Sequence, residues 1–483
     1  MGDGVDDGVE FVDVLIVGAG LSGIGAACHL RRACADRRIA VIEARQDSGG
    51  TWELFRYPGI RSDSDMYTLG YSFRPWTGEK AIADGASILA YLRETAREHG
   101  VDRLIRHGHR LRGAAWSTAD ACWTLRIERE GAAPIEMRAA FLVLCCGYYD
   151  YDEGYTPDFA GRADYRGRFV HPQHWRDDID YAGRRVVVIG SGATAVTLVP
   201  ELARRAAHVT MLQRSPTYML TRPSVDGLAK RLPHALTRWK NLLLGMYFFG
   251  LCRRRPERVK AAMIGLVAKQ LAPGYDVATH FTPRYRPWEQ RLCLVPDGDL
   301  FKAIRAGRAS VVTDRIERFT ETGLKLESGA ELPADLVVCA TGLRMAVLKG
   351  IEVSVDGRRI AVPELVNYKG VMFAGVPNLI SVFGYTNASW TLKADLASVF
   401  LCRVLNHMRR SGTRVCLPRA GGADGAMATA PWVDFSSGYF QRVLDQLPRQ
   451  GDRKPWKLNQ NYLADLMTLR YGALDDGVLS FSA

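Results

Sequence analysis

Two glycine clusters, each followed by a charged residue, are the groups in this 483-residue chain best suited to chemistry on a nucleotide. The first is Gly18-x-Gly20-x-x-Gly23, with Glu43 twenty-five positions after Gly18. Gly18 permits a tight turn, Gly20 lets the backbone approach a pyrophosphate, and Gly23 lets a helix pack close to a strand. A carboxylate at Glu43 can accept hydrogen bonds from both ribose hydroxyls and repels a 2′-phosphate, so this loop reads as a site for FAD or NAD rather than NADP. The second cluster is Gly190-Ser191-Gly192-Ala193-Thr194-Ala195, with Gln213, Arg214 and Ser215 closing the next strand-like run. Arg214 stands about where the first unit has Glu43, with the charge reversed. A guanidinium there can grip a 2′-phosphate with two hydrogen bonds and Ser215 adds a hydroxyl, so the second loop reads as a site for NADPH.

Such loops need strand, helix and strand in that order. VDVLIVG (12–18) and RRIAVIEA (37–44) are apolar and β-branched like buried parallel strands, with a helical pattern from Ser22 to about Arg32 between them. RRVVVIG (184–190), ATAVTLVPELARR and HVTMLQRS (208–215) repeat the arrangement. PADLVVCATGL (333–343) is a third buried strand ending in small residues, as expected where the chain returns to its first domain. The expected class is α/β with two Rossmann-like dinucleotide-binding domains, for FAD and NADPH, and a helical insert in the second. The expected boundaries are 1–150 for the first part of the FAD domain, 151–334 for the NADPH domain with its insert at about 225–285, and 335–483 for the return to the FAD domain and a C-terminal segment.

Composition narrows the remaining classes. None of the ten cysteines forms a CxxC pair and no metal-ligand spacing occurs, which disfavours a dithiol reductase. The net charge of +12 is partly concentrated in 228–260, where Leu242 to Cys252 are flanked by basic residues. That segment suits a partly buried helix with solvated ends, or a helix lying on an anionic membrane surface. No nucleic-acid-binding motif accompanies the charge. No apolar run reaches membrane-spanning length, and the acidic start MGDGVDDGVEF lacks a secretion signal, so residues 1–10 are expected as a loose tail on a cytoplasmic protein with or without peripheral membrane contact.

Before the second loop the chain reads Tyr165-x-Gly167-x-x-x-His171-x-x-x-Trp175-Arg176. This resembles the fingerprint of the class B flavin monooxygenases, and among them the Baeyer–Villiger monooxygenases, with Tyr165 in place of Phe and Arg176 in place of Pro or Asp. GGTWELFRYPGIRSDSDMYTLGYSFRPW (49–76), WEQRLCLVPDGDLFKAI (288–304), GYTNASWTLKADL (384–396) and PWKLNQNYL (455–463) look like the ethionamide-activating type found in mycobacteria. The likeness covers nearly the whole chain.

The resemblance implies an NADPH- and O2-dependent enzyme that forms a C4a-peroxyflavin, inserts oxygen into ketones to give esters, and oxidises sulfides or thioamides. Arg291 matches the catalytic arginine, a cation that cannot lose its proton at working pH. Asp63 matches the acid that orients it and contacts the cofactors; alternatively Asp63 is a helix cap or turn residue. Arg61 and Ser62 fall where the family contacts NADP. Ser22, Thr51, Trp52, Glu53, Leu54 and the region of Leu111 fall along the FAD site. Asn387 precedes a helix whose N-terminus either faces the flavin or is simply capped in the core. His171 is expected to tie the segments joining the two domains. Gln290, where the family has a basic residue, weakens one contact to the 2′-phosphate, a departure that the ethionamide-activating type shares. The alternatives are a monooxygenase of sulfur and nitrogen with little ketone activity, and an NADPH-sensing flavoprotein without turnover. Oligomeric state is not legible in the sequence.

Overall fold

Val9–Val17 is β-branched and buried along its second half, which demands neighbours on both sides and cover on both faces. It forms β1 in the computed structural model, which describes residues 5–6, 8–420, 427–433 and 437–483. The chain runs from β1 into α1 (Leu21–Ala33) and returns through β2 (Ile39–Ile42), parallel to β1 with Val14 opposite Ile39 and Val17 opposite Ile42. On its other side β1 pairs in parallel with Ala132–Leu144. Beyond that strand come Cys122–Arg129, His109–Ser117, Glu352–Val355 and Arg358–Ile360. Leu379–Ser381 adds to the same strand, so the sheet draws on both ends of the chain. Within the segment expected as a loose tail, Val5–Asp6 pairs antiparallel with Val9–Glu10, because the edge of β1 leaves backbone groups to satisfy there. Residues 1–4 and 7 of that expectation lie outside the described residues.

The second unit repeats the plan with β3 (Arg185–Ile189), α2 (Ala193–Leu202) and β4 (His208–Gln213). Its sheet is parallel throughout, in the order Ala309–Thr313, β4, β3, Leu336–Cys339, Arg168–Val170. Leu336–Cys339 thus belongs to the second sheet rather than opening the return to the first. Its four residues are all buried and need a strand on each side, which β3 and Arg168–Val170 supply. The helical insert is present as α3 (His234–Arg254), followed by Pro256–Ala268 and Val277–Phe281. After the crossing back, α4 (Trp390–Ser411) packs along α1 in the core of the first unit.

The two crossings between the units lie side by side. Tyr149–Gly154 on the way out pairs antiparallel with Leu343–Met345 on the way back. His171 is wedged against this ribbon: its Nε2 is 3.1 Å from the Gly342 carbonyl, and its Nδ1 accepts from the Gln173 N–H at 3.2 Å. A Cβ at Gly154 would fall 1.9 Å from the His171 ring, so only glycine fits there. Gln173 donates to the Asp150 carbonyl at 3.0 Å. Gly167 lies against the Tyr165 ring, and the Tyr165 hydroxyl donates to the Ala334 carbonyl at 3.0 Å, giving the extra oxygen of Tyr over Phe a partner. Trp175 is buried in the second core, whereas Arg176 is exposed beside Asp178, away from the ribbon.

Candidate active site

The first glycine loop is built as its residue types require. Gly18 has φ +102°, and a Cβ there would meet the Cys145 carbonyl oxygen at 2.6 Å. A Cβ on Gly23 would lie 1.8 Å from the Gly18 carbonyl oxygen, so helix and strand touch through bare backbone. Gly20 caps α1 with no side-chain hydrogen bond and no acid in the first turn, leaving the N–H groups of that turn for an anion. Glu43 is buried; its carboxylate accepts from the Ala19 N–H at 2.8 Å and the Arg45 N–H at 3.0 Å. A carboxylate has further lone pairs, so this one can also take ribose hydroxyls. The Ser22 hydroxyl accepts from the Trp390 indole at 2.8 Å, tying the start of α1 to the start of α4.

The residues after Gly49-Gly50 have definite partners. Thr51 faces the Tyr151 hydroxyl at 3.4 Å. Trp52 and Leu54 are half-buried in the same short helix. Glu53 is buried in ion pairs with Arg45 and, at 2.6 Å, with Arg56, so its carboxylate is already engaged by protein. The Leu111 side chain is buried in the core beneath the first sheet, which leaves only its backbone to meet a ligand.

At the second loop, Gly190 has φ +126°, and a Cβ there would meet the Ala340 carbonyl oxygen at 2.4 Å. Gly192 caps α2 without a side-chain bond, and a Cβ on it would meet nothing within 4 Å, so open space stands over that helix start beside Ala193 and Ala195. Ser191 binds the Ser215 carbonyl at 3.1 Å and the Thr217 hydroxyl at 3.0 Å. Burial pushes the Tyr57 phenol up to about 12, and its hydrogen bond with Thr194 opposes that shift. Arg214 and Ser215 are exposed at the end of β4, and Arg214 has no ion-pair partner among the described residues. This set of donors, open space and a free guanidinium fits a phosphorylated dinucleotide. Gln213 does not join it: its side chain is buried and donates to the His280 carbonyl and the Thr313 hydroxyl, both at 2.8 Å. The reason is the period of the strand, which turns Gln213 to the face opposite Arg214.

Arg291 and Asp63 meet between the two units. The Arg291 Nη1 donates to Asp63 Oδ2 at 2.9 Å, joining the loop before strand Cys293–Pro296 to the loop after Tyr57. The helix cap considered for Asp63 is instead Asp65, whose side chain accepts from the Thr68 N–H. A second pair, Arg61 with Asp299, spans the same two units, so Arg61 is engaged by protein. Ser62 is buried and donates to the Ser64 carbonyl at 2.7 Å. Asn387 donates to the Gln460 carbonyl at 3.0 Å, and the α4 cap Ser389 shares a hydrogen bond with Thr68 at 2.7 Å.

Three tyrosines that sequence reasoning passed over face Arg291. Burial raises the Tyr149 phenol well above its ordinary value, with Tyr148 and Tyr439 adding to the shift and Arg291 opposing it. Burial likewise raises Tyr439. Desolvation pulls Arg291 down, but its neighbours outweigh it, and at working pH the negative charge beside it is the Asp63 carboxylate, so the guanidinium stays protonated. Tyr148 and Tyr149 share a hydrogen bond at 2.9 Å, and Tyr148 stacks on Trp390 at 5.1 Å. The available signal was the tyrosine-rich run GYYDYDEGY placed directly after a buried strand, at the carboxyl edge where such sheets bind ligands.

Comparison with known proteins agrees with this architecture. Residues 82–381 match the family described as flavin-binding monooxygenase-like, and residues 16–78 match an NAD(P)-binding Rossmann-like domain. The chain is 52% identical, over 98% of each sequence, to the FAD-containing monooxygenase EthA of Mycobacterium tuberculosis. It is 46% identical to the probable FAD-binding monooxygenase AlmA of Acinetobacter baylyi, covering 98% of this chain and 96% of the relative. Among solved structures, a steroid monooxygenase bound to NADP superposes with a TM-score of 0.72 at 23% identity, covering 84% of this chain and 87% of the other. An open form of cyclohexanone monooxygenase gives 0.72 at 20% identity, covering 85% and 90%. These last two are likenesses of fold. With two glycine loops followed by charges of opposite sign, a family match over residues 82–381 and a relative 52% identical over nearly the whole chain, the protein belongs to the flavin-binding monooxygenases.

Proposed function

We propose that the chain uses FAD, NADPH and O2 to insert oxygen into ketones, giving esters, and to oxidise sulfides or thioamides. The observation that carries this reading is the Arg291–Asp63 pair, which joins the two units and has Tyr148, Tyr149 and Tyr439 in its electrostatic surroundings. The segments 1–150 and 335–483 are assigned to FAD and 151–334 to NADPH, with Leu336–Cys339 transferred to the NADPH part. Bound FAD, reduced by NADPH, supplies the oxygen-activating chemistry.

The chain's own residues do the rest. Glu43 receives the flavin-side ribose and the start of α1 its pyrophosphate. Arg214 and Ser215 receive the 2′-phosphate of NADPH over the open start of α2. Asp63 takes one arm of Arg291 and fixes its direction, leaving further N–H groups to point at a substrate carbonyl. When oxygen is delivered to that carbonyl, negative charge collects on its oxygen, and a preorganised cation in a half-dry site stabilises it without reorganisation. Arg291 cannot serve as an acid there, so it leaves the reacting oxygen unprotonated. Tyr148, Trp390 and Phe383 form an aromatic wall that limits water.

The test is incubation with NADPH, labelled dioxygen, one aryl ketone and one aryl sulfide, followed by mass spectrometry. Label in an ester, lost in Arg291→Ala while NADPH oxidation continues, is the expected result. Label in the sulfoxide alone would replace the ketone reading with heteroatom oxidation. NADPH consumption without any labelled product from either probe would overturn oxygen transfer to both classes.

A further inference from the structure

Every large hydrophobic side chain exposed among the described residues lies in one of two segments, 228–266 or 463–471. On α3 the exposed set is Leu236, Trp239, Leu243, Leu244 and Tyr247, whose spacing makes one stripe down the helix. Tyr247 is 70% exposed and Leu244 56%. In the second segment Leu463, Met467 and Tyr471 recur every fourth residue along another single face. The two stripes meet, since the Trp239 and Tyr462 rings are 6.1 Å apart. The result is a continuous apolar surface rather than scattered residues.

The helix α3 is apolar on two faces, and the protein covers one of them. Leu242 packs toward Tyr385 and Leu392, Arg238 donates to the Tyr67 and Gly70 carbonyls, and Asn241 donates to Asp65 at 3.0 Å. Farther along, Phe249 meets Trp288 at 5.7 Å, and Cys252 is buried beside Tyr218. The helix is therefore anchored to both units by one side, and its second apolar face is left to a different neighbour.

Charge identifies that neighbour. Between Asp226 and Glu257 the sequence has no acidic residue and seven Lys or Arg. Lys230 pairs with Glu79, Lys240 with Asp226, and Arg238 is turned inward. Arg231, Arg253, Arg254 and Arg255 are exposed, and none has an ion-pair partner among the described residues. An apolar stripe flanked at both ends by unpaired cations matches the boundary between acyl chains and anionic headgroups. No described helix is long and apolar enough to cross a membrane. We infer that α3 and the 462–471 segment together dock the protein on an anionic lipid bilayer, with the axis of α3 along its surface.

The test uses the flavin-loaded protein and sedimentation with vesicles of phosphatidylcholine, with and without phosphatidylglycerol. Binding is expected to require phosphatidylglycerol and to weaken with salt. It is expected to fall roughly fivefold for each of Arg253, Arg254 and Arg255 changed to Gln. Leu243→Glu combined with Leu244→Glu should abolish binding while leaving NADPH oxidation and melting temperature unchanged. The Arg→Gln set, which leaves the apolar stripe intact, covers the case in which the double Glu variant misfolds. Equal sedimentation of wild type and both variant sets would overturn the inference. So would absence of vesicle binding, including the case where the protein forms a dimer that Leu243→Glu dissociates, which would identify a second copy as the neighbour.

Discussion

Replacing Arg214 by Ala tests coenzyme selection with little interference from folding. The side chain is exposed and has no ion-pair partner among the described residues, so its loss costs the folded state no more than about 0.5 kcal/mol. If it receives the 2′-phosphate, a charge-assisted hydrogen-bonded pair worth about 1.5–3 kcal/mol disappears. Solvent at this exposed site screens the interaction toward the lower end, about 1.5–2 kcal/mol, which is roughly 10- to 30-fold in kcat/KM for NADPH. NADH has no phosphate at that position, and its kcat/KM should stay within about twofold. Arg214→Lys should recover part of the NADPH loss, because it keeps the charge without the planar fork. The assay is steady-state oxidation of each coenzyme at saturating substrate, with melting temperature recorded alongside. Equal losses for NADPH and NADH, or no loss for NADPH, would refute the assignment of the second loop.

Three further outcomes follow from the geometry. Gly154→Ala places a methyl 1.9 Å from the His171 ring and should lower stability by about 1–3 kcal/mol in urea unfolding; an unchanged midpoint would contradict the wedge. Burial lowers the His171 pKa below its ordinary 6.5, and the hydrogen bond to Gly342 only partly opposes this. The unfolded chain therefore takes up that proton first, so stability should fall as pH drops from 6.5 through the lower folded value, and stay level above 6.5. His171→Gln should flatten that part of the melting-temperature profile, and an identical slope in both proteins would count against it. Asp465→Ala strands the buried Lys393 ammonium, now 2.9 Å from the carboxylate, and should cost about 3–5 kcal/mol; a loss below about 1 kcal/mol would mean that Lys393 is neutral in the fold.

The parts of the site legible in the sequence are those made by neighbours in the chain. Gly18, Gly20 and Gly23 act on one turn, and Glu43 and Arg214 sit at fixed distances along one strand–helix–strand unit, so local spacing constrains them. The Arg291–Asp63 pair became visible only through family resemblance, since 228 residues separate its members. The partners that the sequence concealed come from distant segments: Asp299 for Arg61, Trp390 for Ser22, Tyr439 for Arg291. Gln213 and Arg214 are neighbours in the chain, yet one position along a strand is enough to move a side chain from the open face to the buried one. The sheet that Leu336–Cys339 joins is legible only in the structure, because a buried apolar run carries no mark of which neighbours cover it.

The ribbon of Tyr149–Gly154 and Leu343–Met345 brings the two ends of the segment between them together, with the Tyr155 N–H donating to the Gly342 carbonyl at 3.1 Å and the Thr341 hydroxyl to the Tyr155 carbonyl at 2.7 Å. A segment whose ends touch is a cassette: it can be lifted out and the gap sealed by a short turn, or exchanged for another without altering the path of the rest. The second glycine loop, Arg214 and the helices of the insert travel together in that cassette, while the first glycine loop and α4 stay with the frame. A chain built this way can exchange one nucleotide loop or one surface for another in a single recombination, at a seam only a few residues long.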